Sequence, residues 1–140
     1  MAHRIVKHTL TRFSVALDRT IGDSQVSTRN LSLGVLEISD EVGHVGTGFF
    51  HTVVEPLPPL AELEARFQRE LAETLIGSDP FSLANRIQRP RGGNIRGSIF
   101  KPAIDQALWD LQGQILDMPL YKLLGGDRTR GGRGGTGPGR

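Results

Sequence analysis

Ile104, Ala107, Leu108, Leu111 and Ile115 recur at intervals of three and four residues, a spacing that predicts an amphipathic helix with one apolar stripe turned to a core. Gln106, Asp110, Gln112 and Gln114 fall mostly off that stripe. Pro119 disfavours helical backbone in the residue before it, so the helix is expected to end ahead of it, and Asp117 tolerates a left-handed cap. Leu120, Tyr121, Leu123 and Leu124 make a second, short apolar packet closed by Gly125-Gly126.

The first third of the chain has a different period. Over residues 4–17, Ile5, Val6, Thr9, Leu10, Thr11, Phe13 and Val15 are interleaved with Lys7, His8 and Arg12, which predicts a strand. Residues 18–30, DRTIGDSQVSTRN, collect Gly, Asp, Ser and Thr and read as a long loop, a length often tied to function. Residues 31–39 alternate as Leu31, Leu33 and Val35 and then change phase to Leu36 and Ile38, so a second strand carries either a bulge or two partly covered faces. A tight connection at residues 40–43 leads to a third strand over residues 44–54, where Gly46 and Gly48 mark a bend or a close approach to the backbone.

The Pro-rich residues 55–59 stop strand pairing, and Leu60, Leu63, Phe67, Leu71 and Leu75 then predict a helix terminated at Gly77. Asp79-Pro80 fits an N-cap with Pro in the first position of a second helix over residues 81–88, stopped by Pro90. Residues 91–97 read as a loop, and the third helix starts near Ser98 or Lys101 with Pro102 in its first turn. The predicted fold is α+β: a three-stranded antiparallel meander followed by about three helices.

Composition narrows the class. The 140 residues have length for one small domain and not for a barrel of roughly 250 residues as well. A content of 37% apolar and 23% charged residues with a net charge of +2 is ordinary for a soluble globular protein. The absence of cysteine removes disulfides and thiolate metal sites, and no apolar run reaches membrane-spanning length, so a cytoplasmic location is expected. Residues 127–140 are the exception. From Arg128 onward this Gly/Arg string has no aliphatic or aromatic side chain, so it is expected to be a disordered tail beyond a folded unit at residues 1–126.

The literal string ALWDL, Gly113, then PLYKLLGG resembles the end of the N-terminal capping domain of the mandelate racemase and muconate lactonizing branch of the enolase superfamily. Asp117 departs from the family, which usually has Gly there. The order of strands and helices extends the resemblance over residues 4–126, and Phe49, where many relatives are acidic, leans toward the mandelate racemase side. This resemblance implies an acid-sugar dehydratase or racemase acting on a small carboxylate with Mg2+. Its proton-transferring groups and three metal ligands reside in a C-terminal barrel. No carboxylate here matches those ligands, and Lys7, Lys101 and Lys122 do not fall in the family's base motif. The expectation is therefore a cap with no catalytic, cofactor-binding or metal residue of its own, inactive alone, as a truncated or frame-shifted reading frame would give.

By the same resemblance, the loop at residues 18–30 and the segment at 48–51 close over the barrel mouth, with Thr20, Ile21, Gly22, Phe49 and Phe50 as candidate substrate-specificity residues. His3, His8, His44 and His51 lack the spacing of helical metal ligands and read as surface or strand histidines, and Trp109 reads as packing. Gly46-Thr47-Gly48 lacks the strand, turn and helix order of a dinucleotide site. Two other readings are a free-standing interaction module that self-associates through the face meant for the barrel, and a weak RNA binder. RNA attachment would use the four arginines in the last thirteen residues, but no aromatic is interleaved there for base stacking.

Overall fold

The computed structural model describes residues 3–25, 27–52, 56–84 and 98–126. Strands β1 (Ile5–Gly22), β2 (Ser27–Asp40) and β3 (Val45–Thr52) form one antiparallel sheet in the order β1-β2-β3. The predicted meander is present, with one correction. Most of residues 18–30 is strand and not loop: β1 and β2 run on as a long hairpin, leaving only a short turn after Gly22. Phase also resolves simply. Pairing is continuous through Val35 and Leu36, so β2 has no bulge there; Leu36 and Ile38 face the core while Leu31, Leu33 and Val35 are half-buried on the other face.

The cover begins with α1 (Leu60–Phe67), which continues through a π-helical stretch, Gln68–Ala72, into α2 (Glu73–Leu75). The wider turn changes the stripe. Leu63, Phe67, Ala72 and Leu75 are buried, so the step from Phe67 to Ala72 is five residues, and the expected Leu71 is left half-buried. Gly77, at φ 80°, ends this run, and its N–H donates to the carbonyl of Ile5 at 2.8 Å while the Ile5 N–H reaches Ser78 O at 3.0 Å. Asp79 Oδ1 accepts the Phe81 N–H at 3.0 Å, the expected cap of α3 (Pro80–Ala84). The rest of the helix predicted over residues 81–88, the loop predicted over 91–97 and the tail predicted over 127–140 lie outside the described residues.

Helix α4 (Lys101–Ile115) is the central element, and Ala103, Ile104, Ala107, Leu108 and Leu111 on it are buried. It lies along the edge of β3 closely enough that a Cβ on Gly46 would overlap the carbonyl oxygen of Ala107, and one on Gly48 that of Ala103. The strand edge is satisfied from the helix. Val45, Thr47 and Phe49 donate their N–H groups to Gln114 Oε1 (3.3 Å), Asp110 Oδ2 (2.9 Å) and Gln106 Oε1 (3.1 Å), and Gln114 Nε2 donates back to Val45 O. Four helical residues rise about 6 Å and two strand residues about 6.7 Å, so the two repeats stay in step for this length.

Phe100, at the N-cap of α4, joins the layers: its ring meets Phe50 of β3 and Phe67 of α1 edge-on, each with centroids 5.1 Å apart. Gln112 is buried, unlike its polar neighbours, and donates through Nε2 to Pro80 O at 3.0 Å, tying α4 to α3. After α4, Asp117 takes φ 49°, Met118 N–H reaches Gly113 O and Asp117 N–H reaches Gln114 O, which is a Schellman cap. The chain then forms α5 (Leu120–Leu123).

Two substitutions test this account by chemical denaturation. Gly48→Ala is expected to cost about 3 kcal/mol, the upper part of the overpacking range, because the obstacle is a helix carbonyl that cannot rotate away. Asp117→Gly is expected to stabilise the domain by up to about 1 kcal/mol by relieving the left-handed penalty at the cap.

Candidate functional site

Of the residues singled out for substrate specificity, Thr20, Ile21 and Gly22 fall at one end of the sheet, on the β1–β2 hairpin. Between Ala16 and Ile21 the register of β1 shifts against β2, and Thr20 lies in this irregularity; Ile21 pairs with Thr28 and Gly22 with Ser27. A bulge of this kind re-aims side chains and increases local twist. All three residues are exposed, and the turn beyond them is closed by Asp23 Oδ1 accepting the Gln25 N–H at 2.8 Å. Described β3 residues end at Thr52, opposite Ser32, so the hairpin projects past them at the end where β3 exits.

Phe49 and Phe50 divide as strand alternation requires. Phe49 is 46% exposed on the outer face, beside Val35, whereas Phe50 is 3% exposed and is a core residue, its ring filling the space over Gly34. Nor do the candidates form one patch. Phe49 is level with Val35 and Ile21 with Thr28, seven residues apart on β2, or on the order of 20 Å. On the outer face next to Phe49, Phe13 and Val15 are about half exposed beside half-buried Leu31 and Leu33, with His51 among them.

At the opposite end of the sheet the structure joins residues that sequence spacing kept apart. Asp40, the last residue of β2, has a fully buried side chain whose Oδ1 accepts N–H bonds from Val42 (3.0 Å), Gly43 (2.7 Å) and His44 (2.8 Å). Its Oδ2 meets Nδ1 of His44 at 2.7 Å and Nδ1 of His3 at 2.8 Å. Burial pushes this carboxyl up, but the bonds from His44, His3 and the turn amides outweigh burial and hold it far below the usual carboxylate range. The signal that could have found the cluster is D-x-x-x-H across a tight turn, which a search for helical ligand pairs passes over.

The other two histidines stand apart from it. His8 packs its ring on Phe67 at 4.7 Å beside a groove of about 460 Å³ that includes Glu64 and Gln68. Burial lowers its pKa and Glu64 opposes that shift. His51 is exposed on the outer face. Trp109 is half-buried on α4, and no described helix is long and apolar enough to cross a membrane.

A meander edged by a helix, with a projecting hairpin, is a fold with known relatives. Residues 7–125 match the family described as Mandelate racemase / muconate lactonizing enzyme, N-terminal domain, and the chain belongs to that family. It is 40% identical over 96 residues to the D-galactonate dehydratase of Cronobacter sakazakii, covering 65% of this chain and 24% of that protein. Among solved structures, a protein of Mesorhizobium loti provisionally described as a mandelate racemase superposes with a TM-score of 0.79 and 38% identity, over 89% of this chain and 33% of that one. The muconate lactonizing enzyme of Pseudomonas fluorescens, complexed with muconolactone, shares the fold at a TM-score of 0.72 and 24% identity, over 91% and 35% of the two chains. The chain thus spans about a third or less of the lengths of these relatives.

A dipeptide epimerase from Enterococcus faecalis, which shares the fold at a TM-score of 0.66 and 24% identity over 86% of this chain and 34% of that one, is described as complexed with Mg and a dipeptide. The residues here do not suit that ion. Mg2+ wants a near-octahedral set of oxygens, and the His3, Asp40 and His44 group, found among the described residues, offers two imidazoles and one carboxylate.

Asp40→Asn is expected to cost about 1–3 kcal/mol near neutral pH, because it removes a charged acceptor of several buried bonds. The folded-state pKa is depressed, so the contribution of Asp40 is complete above the unfolded value of about 3.9 and is lost as pH falls through the folded value. Denaturation as a function of pH should therefore show wild-type stability falling below about pH 4 more steeply than that of the variant.

Proposed function

We propose that this chain is the capping domain of a cytoplasmic, magnesium-dependent acid-sugar dehydratase or racemase, contributing substrate discrimination and no proton transfer of its own. The observation that carries the reading is the bulged hairpin projecting at the β3 exit from a fold that superposes on the Mesorhizobium loti protein with a TM-score of 0.79. Its substrate is a small carboxylate, and the D-galactonate dehydratase names of its relatives favour an aldonate. Its partner is a C-terminal barrel, which supplies the magnesium ligands and the acid–base groups.

In this reading Thr20, Ile21 and Gly22 reach the substrate from the hairpin and Phe49, about 20 Å away on the outer face of β3, shapes the approach to it, while Phe50 holds the strand from beneath. A cap contributes by excluding water and by fitting the substrate's shape, which governs ratios of kcat/KM between substrates more than the chemical step itself.

Two measurements check it. The chain alone, supplied with Mg2+, is expected to exchange no α-proton of D-galactonate or other acid sugars; robust exchange would overturn the proposal. With residues 3–126 grafted onto the barrel of the Cronobacter sakazakii enzyme, Ile21→Ala and Phe49→Ala should each change the kcat/KM ratio between two acid sugars by about ten-fold, with Glu73→Ala as the neutral control. Equal ratios in all of these chimeras would remove hairpin and strand from substrate selection.

A further inference from the structure

We propose that His3, Asp40 and His44 form a site for a divalent transition-metal ion, Zn2+ being representative, which fastens the chain's entry into β1 to the β2–β3 turn. The ligands come from three places: His3 just before β1, Asp40 at the end of β2, and His44 just before β3. Register brings them together, since Ile5 pairs with Asp40 and so delivers the preceding residues to the turn.

The donor atoms already converge. Nδ1 of His44 and Nδ1 of His3 lie 2.7 and 2.8 Å from the same Asp40 oxygen, and the three atoms are mutually within 4.8 Å. A tetrahedral ion with bonds of about 2.0–2.2 Å needs its ligand atoms roughly 3.4 Å apart, so each histidine must withdraw from Oδ2 by about 0.6 Å while the two Nδ1 atoms, within 4.8 Å of each other, settle at the same spacing. Both can do so. Their side chains are 27% and 31% exposed, which also leaves a route for the ion and room for water at its remaining positions.

Asp40 is the fixed member. Its second oxygen is held by three backbone N–H groups of the turn, an outer shell that aims Oδ2 at the two imidazoles. Without a metal, Nδ1 of each histidine is hydrogen-bonded to Oδ2. Metal binding uses the tautomer with Nδ1 free of its proton and the other ring nitrogen carrying one, and it exchanges these two hydrogen bonds for three coordinate bonds. Two imidazoles and one carboxylate select Zn2+, Ni2+ or Cu2+ over Mg2+. The site is thus separate from the magnesium chemistry assigned to the barrel.

The test is calorimetric titration of the metal-stripped, full-length chain with ZnCl2, followed by imidazole nitrogen NMR. Saturable uptake of about one equivalent is expected, with ring signals of His3 and His44 shifting and those of His8 and His51 unmoved. His3→Ala lies ahead of β1, leaves the amide bonds of the turn intact, and should weaken zinc binding at least about ten-fold, as should His44→Ala. A thermal melt in chelator verifies that both variants fold. Absence of saturable zinc binding in the micromolar range, equal affinity in the histidine variants, preference for Mg2+, or shifts at His8 or His51 in place of His3 and His44 would each overturn the site.

Discussion

The contact between α4 and the edge of β3 is the constraint on which the rest of the domain depends. A sheet edge presents unpaired N–H and C=O groups that must be paired, covered or left in water. Here the cover is a helix, and it works only because Gln106, Asp110 and Gln114 stand one helical turn apart opposite alternate residues of β3. The same approach requires Gly46 and Gly48, since the helix backbone occupies the space that side chains would take. Once α4 is seated, its apolar stripe closes over Leu36, Ile38 and Phe50, and Phe100 at its start reaches across to Phe67.

That arrangement leaves the two ends of the sheet free for different tasks. At the end where β3 exits, the bulged hairpin runs into solvent with exposed Thr20, Ile21 and Gly22. At the other end, Asp40 gathers turn amides and two imidazoles around one buried carboxylate. A buried charge is tolerable only with such partners, and these tie the entry of β1, the end of β2 and the start of β3 at a single point.

The parts legible in the sequence were those where burial imposes a period. The α4 stripe, the glycine pair of β3, the terminator Gly77 and the Asp79 cap follow from residue types alone, because each has one local solution. The hairpin extension was not legible: a ribbon with water on both faces has no apolar alternation to report, so Thr, Ser, Arg and Asp read as loop. The π turn was hidden for a related reason, since Leu71 and Ala72 both suit an apolar stripe and only packing chooses between them. At the site, alternation left open which of Phe49 and Phe50 faces out, and His3 lies thirty-seven residues from Asp40, a separation that only strand register bridges.

The glycines of β3 carry a genetic consequence. Every missense codon at position 46 or 48 introduces a carbon into space already held by main-chain oxygen of the facing helix, so no replacement is conservative there. Those two codons are expected to be frozen under purifying selection even where the neighbouring strand positions drift.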